Sequence, residues 1–144
     1  MNKPILLEEY GLPTWNSIFP NGHTDAEQTE YYADTLNIVR SQNLLGAMAW
    51  TLYDFNSVPA SVAGRWPWQT GPQSNLGIVR RDGVPKPAAA LLAPDAVLKA
   101  PTIPAYARFL KPFWLLVFAS GIGIPLLGLI IFIRRRIKRR KRPA

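Results

Sequence analysis

The residues with the clearest chemical potential are two adjacent carboxylates. Glu8 and Glu9 close the apolar run at residues 4–7 and are followed at once by Tyr10 and Gly11. A short apolar run of this kind reads as a buried parallel strand, and the glycine after it reads as the turn out of that strand. Successive strand side chains face opposite ways, so this reading turns Glu9 inward and Glu8 outward. An inward carboxylate at the C-terminal end of a parallel strand stands where α/β enzymes gather their catalytic groups. Such a group can act as a nucleophile or a proton carrier.

Aromatic residues supply the second signal. Trp50 ends the apolar stretch GAMAW at residues 46–50, and Trp15, Trp66 and Trp68 lie in segments that read as loops. Exposed indoles suit the flat apolar faces of sugar rings, and they are equally good packing groups. His23, beside Gly22, reads as a turn or capping residue. There is no cysteine, which excludes disulfides and thiolate metal sites. No metal-ligand spacing and no glycine-rich phosphate loop occurs in the chain, so no cofactor is expected.

These residues need elements to hold them. Thr24-Asp25-Ala26-Glu27 carries the signature of a capping box, and the positions Tyr31, Tyr32, Thr35, Leu36, Ile38 and Val39 predict a helix to about Gln42 with one buried face. Residues 46–51 predict a second parallel strand. A long loop spans 56–75, an Asp82-Gly83 turn follows, and Pro87 opens a last helix to about Leu98. The order strand, loop, helix, strand, loop, helix gives two βα units of a parallel α/β fold. Two units leave both strand edges and much apolar surface uncovered, so this segment is expected to be part of a larger sheet.

Four short motifs in order now carry a family resemblance. PILLEEYG at residues 4–11 resembles the seventh strand of retaining glycoside hydrolases, the clan of family five cellulases and mannanases and family two β-galactosidases and β-glucuronidases. AEQTEYYADTL at 26–36 is similar to the helix that precedes their eighth strand. GAMAWTLYDF at 46–55 resembles that strand with its terminal tryptophan, and LGIVRRDGVPKPAAALL at 76–92 resembles the closing segment. The resemblance covers residues 3–98, about the last quarter to third of such a domain. It implies an α/β fold, the C-terminal βαβα portion of a (β/α)8 TIM barrel. It implies Glu9 as catalytic nucleophile, Trp50 as sugar platform, and Tyr10, Trp15, Trp66 and Trp68 as further substrate contacts. In these families the acid/base glutamate follows the fourth strand within an Asn-Glu pair. No such strand is present, and Glu27, Glu30 and Asp54 are poorly placed to replace it, so the segment alone is expected to be inactive.

The rest of the chain is built differently. Residues 113–133 form an uncharged apolar run of 21 residues, long enough to cross the hydrocarbon core as a helix. Eight of the 17 Lys and Arg residues follow it, between Arg134 and Arg142; without them nine basic residues face nine acidic ones. The net charge of +8 is therefore a property of the tail, and the remainder offers no nucleic-acid surface. The expected organisation is a partial barrel at 1–100, a proline-rich linker at 101–112, a membrane helix at 113–133 and a basic cytoplasmic tail at 134–144. Residues 1–100 then lie outside the membrane. MNKPILLEEYG is no signal peptide, so upstream polypeptide is expected to supply both export and the first six βα units. The expected partners are a carbohydrate substrate, the lipid bilayer and that barrel portion. The alternative is a non-catalytic single-span protein, a remnant or a carbohydrate-binding or scaffold fragment.

Overall fold

The fold is taken from a computed structural model that describes residues 3–15, 19 and 21–140. Pro20 and residues 141–144, part of the expected loop and tail, lie outside the described residues.

Two short strands, β1 (Leu6–Tyr10) and β2 (Gly46–Ala49), pair in parallel around the connecting helix α1 (Asp25–Ser41). The register joins Leu6 to Gly46, Leu7 to Ala47 and Tyr10 to Ala49. Three steps along β1 thus match two along β2, and the extra residue makes a bulge at Glu8–Glu9. The ladder runs on at both ends, from Leu45 N–H to the Ile5 carbonyl and from Trp50 N–H to the Tyr10 carbonyl, each at 2.8 Å. α1 begins as its sequence dictates. Thr24 Oγ1 accepts from Glu27 N–H at 3.2 Å, and the Glu27 carboxylate accepts from Thr24 N–H at 2.8 Å. These bonds satisfy donors that a helix start otherwise leaves open.

The buried face of α1 differs from the sequence expectation. Gln28, Tyr32 and Ala33 are buried, with Leu36 packed beside them, while Ile38 and Tyr31 stand exposed. The core gathers Tyr10, Tyr32, Ala33, Ile78, Ala88 and Leu91, so it lies between the strands, α1 and the segment after residue 76. That segment docks along residues 51–54, with Ile78 N–H bonded to the Thr51 carbonyl and Val79 N–H to the Leu52 carbonyl. It turns at Gly83, whose φ of 85° suits glycine, and returns through Lys86 N–H to the Ile78 carbonyl.

Three expected elements change. The second strand stops at Ala49 rather than Thr51. The loop at 56–75 contains two short helices, α2 (Ala60–Ala63) and α3 (Pro67–Ser74). The expected last helix is only a 3₁₀ turn, Pro87–Leu92, because Ala93 precedes Pro94 and is held extended at ψ 144°. A second 3₁₀ turn, Ala105–Leu110, leads into α4 (Pro112–Arg140). Within α4 the stretch Pro112–Arg136 is long and apolar enough to span a membrane, and none of its apolar window is buried against the rest of the chain.

Candidate functional site

The pairing of Tyr10 with Ala49 fixes what surrounds it. Tyr10 is 5 % exposed and Ala49 packs on the same core, so both face α1. Their neighbours Glu9 and Trp50 are exposed, Trp50 at 47 %. The pleat therefore sets Glu9 and Trp50 on the opposite face, at adjacent strand tips. Gly11 makes the close exit possible: a Cβ there would collide with the Trp50 carbonyl oxygen. The Trp50–Thr51 peptide is cis.

Tyr10 does not join this site. The pleat that sends Glu9 to one face sends Tyr10 to the other, where its ring packs 4.9 Å from that of Tyr32. Burial, and then the neighbouring Tyr31, raise its phenol pKa. Tyr10 is thus part of the core.

Among the described residues, neither Glu8 nor Glu9 makes a side-chain hydrogen bond or ion pair. The arginines of the closing segment are committed to other partners. Arg80 pairs with Asp25, and Arg81 donates to the carbonyls of Phe55 and Ser74. The other carboxylates weighed in the sequence are also engaged. Asp54 accepts from buried Lys86 at 2.7 Å and from Gly77 N–H at 2.9 Å. Burial lowers the Lys86 pKa, and the bond to Asp54 opposes that. Asp54 and Lys86 thus pin the closing segment to the end of the second βα unit. Glu27 holds the cap of α1.

Trp15, Trp66 and Trp68 come together in a row through Phe19. Trp15 stacks on Phe19 at 5.6 Å, Phe19 meets Trp68 at 5.4 Å, and Trp68 lies parallel to Trp66 at 5.2 Å with 4° between planes. Trp15 fills the space above Gly71, where a Cβ would strike its indole. It is a packing residue of the loop. Trp66 and Trp68 keep large exposed surfaces.

A polar cleft of about 470 Å³ lies beside this row, lined by Thr14, His23, Thr24, Asp25, Ala26 and Arg80. Burial first, and then the ammonium of Lys111, hold the His23 imidazole below its ordinary pKa, against the opposing pull of Glu27 at 3.9 Å. Burial alone would raise the Glu27 carboxyl. The bonds from Thr24 and Lys111 together carry it below the usual range. His23 and Lys111 gave no signal in the sequence beyond a turn and a linker charge, since their partners are brought in by folding.

No family model and no curated protein matches the chain. The site must be read from its own chemistry. It presents one unpartnered carboxylate and one half-open indole at the C-terminal tips of two parallel strands. Among the described residues, no group of three His, Asp or Glu side chains is placed to hold a metal ion.

Proposed function

We propose that residues 3–98 are the last two βα units of a (β/α)8 retaining glycoside hydrolase, with Glu9 as nucleophile and Trp50 as the sugar platform. The observation that carries this reading is the pair of exposed residues on either side of the Tyr10–Ala49 rung, whose own side chains face the core. In such an enzyme a carboxylate at a parallel strand tip attacks the anomeric carbon, and an exposed indole at the neighbouring tip can carry the sugar ring. The exposed Ile5, Leu6, Leu45 and Met48 along both strands support the larger barrel, because parallel strands are ordinarily covered on both faces. Six further βα units, from the same gene or another chain, would cover them.

In that barrel, the Glu9 carboxylate attacks the anomeric carbon as the glycosidic C–O bond breaks. A second carboxylic acid, about 5–5.5 Å away, protonates the leaving oxygen and then activates the water that releases the sugar. That acid comes from an earlier strand, so these residues alone do not hydrolyse glycosides. α4 crosses the membrane once. The basic residues from Arg134 onward stay cytoplasmic, and residues 3–98 lie on the other side.

The test uses the completed enzyme. Glu9→Ala should lower turnover by on the order of 10⁴-fold, the scale of losing a covalent nucleophile. Added azide should restore a glycosyl azide of inverted configuration, by direct attack in the vacated space. Undiminished activity in Glu9→Ala would falsify the assignment. One observation favours a second reading, a non-catalytic anchored protein: the carboxylates other than Glu8 and Glu9 discussed above are held in structural bonds. In that case Trp50→Ala weakens glycan binding, and no completed barrel turns glycan over.

A further inference from the structure

The entry point of α4 is not free to wander. Lys111, the residue before α4, places its Nζ 2.9 Å from Glu27 Oε1 and 2.9 Å from the Gly22 carbonyl. Both partners belong to the start of α1. The preceding chain runs back along this helix: Asn37 holds the Leu98 carbonyl near the far end of α1, and Lys111 closes at its N-terminus. Because α1 connects two parallel strands, it runs opposite to them. Its N-terminus therefore lies at the end where β1 and β2 finish. The membrane helix departs from the same end of the molecule as Glu9 and Trp50.

The loop after β2 emerges at that end too. Asn21, in the segment before α1, donates to the Trp68 carbonyl at 2.6 Å and ties the loop there. Over residues 56–75 the loop has no acidic residue and one arginine, Arg65. Its surface shows Val62 at 72 % and Trp66 at 59 % exposure, with exposed Arg65 and Trp68. Near the start of α4, Tyr106, Phe109 and Trp114 are exposed as a second aromatic group. Tryptophan, tyrosine and arginine are the side chains that favour the headgroup layer of a bilayer, the arginines by attraction to anionic lipid.

We propose that the loop at 56–75 rests on the bilayer surface, with Val62, Trp66 and Trp68 in the interfacial layer of the leaflet that α4 enters. The inference rests on α4 crossing a membrane, as proposed above. It does not need the glycosidase reading. Sugar stacking is the competing use of these indoles. It is disfavoured because Trp66 and Trp68 lie against one another, so each has already given one face to its partner.

The chain has no cysteine, so single labels can be introduced cleanly. Full-length Val62→Cys and Ser41→Cys, each carrying an environment-sensitive fluorophore, are reconstituted in phosphatidylcholine vesicles containing phosphatidylglycerol. Position 41 ends α1 and marks the opposite end of the molecule. Both proteins should float with the vesicles. The label at 62 should be several-fold less quenched by aqueous acrylamide than the label at 41, and more strongly quenched by lipid carrying a headgroup-level spin label. Failure to float would overturn the anchor and the loop contact together. Flotation with equal acrylamide quenching at both positions would overturn the loop contact alone. Shielding at 62 that needs an added soluble oligosaccharide instead of lipid would overturn it in favour of sugar.

Discussion

Lys111 carries more of the local chemistry than its place in a linker suggests. It supports the Glu27 carboxylate and depresses the His23 imidazole, so one cation biases two titrations. Replacing Lys111 with Met should raise the His23 pKa while leaving it below the ordinary value, since burial is the larger cause. His23 is the single histidine, so an NMR titration of the anchored chain reads it without assignment. A downward shift or none would show that Lys111 does not face the ring. The stability consequence has a definite sign. As pH falls through about 6.5, the unfolded chain takes up a proton that folded His23 resists, so stability is lost on acidification. The lowered Glu27 carboxyl acts in the same direction further down. Its contribution is present above the ordinary glutamate range and lost as pH falls through its folded value. Acid should therefore loosen the contact that holds the start of α4 to α1.

The start of α1 was legible because its cause is local, although the equally local Ala93–Pro94 step that stops the last helix at Leu92 was not read. Thr24 and Glu27 announce the start of α1 because a capping box needs only residues three apart. A peptide of residues 22–43 should show this directly. Thr24→Ala should cost about 1 kcal/mol and visibly lower its helical circular dichroism, since a lone helix of this length is marginal. An unchanged spectrum would mean that the cap is set by tertiary contacts. The two strands and α4 were legible for a similar reason, as apolar runs of the right length between polar or glycine punctuation. What stayed hidden depends on distant partners. Gln28 reads as a surface residue, yet it is buried and donates to the carbonyls of Leu12 and Gly77, joining three segments. Asp54 and Lys86 are 32 residues apart, and nothing in either neighbourhood signals their ion pair. Tyr10 follows Glu9 directly, yet it is buried against Tyr32 while Glu9 is exposed, a separation that the motif as a string of residues does not carry. Glu9 and Trp50 were visible only as two strand ends; the register that sets one just before and the other just after the Tyr10–Ala49 rung belongs to the folded chain.

At the scale of the whole molecule, the two-stranded sheet is the unresolved liability. β1 and β2 each bond to the other along one edge and leave the opposite edge open among the described residues. Ile5, Leu45 and Met48 are all more than half exposed along these strands. Open parallel edges with apolar side chains recruit further strands, either those of a complete barrel or those of another copy. Residues 1–100 freed from α4 should therefore self-associate as concentration rises, and should show no sharp thermal transition. Light scattering across a dilution series and a circular dichroism melt read the two effects. Copies held apart at low density in vesicles are spared that encounter, as edge-to-edge pairing needs two sheets to meet. If the proposed barrel is right, its other six βα units, supplied in trans, should suppress association and sharpen the melt, because they would cover the same edges. A monodisperse monomer with a sharp transition would instead show that six buried hydrophobic residues and the Asp54–Lys86 pair suffice to hold the fold. The open strands would then be a tolerated surface, and the case for a larger barrel would lose its physical support.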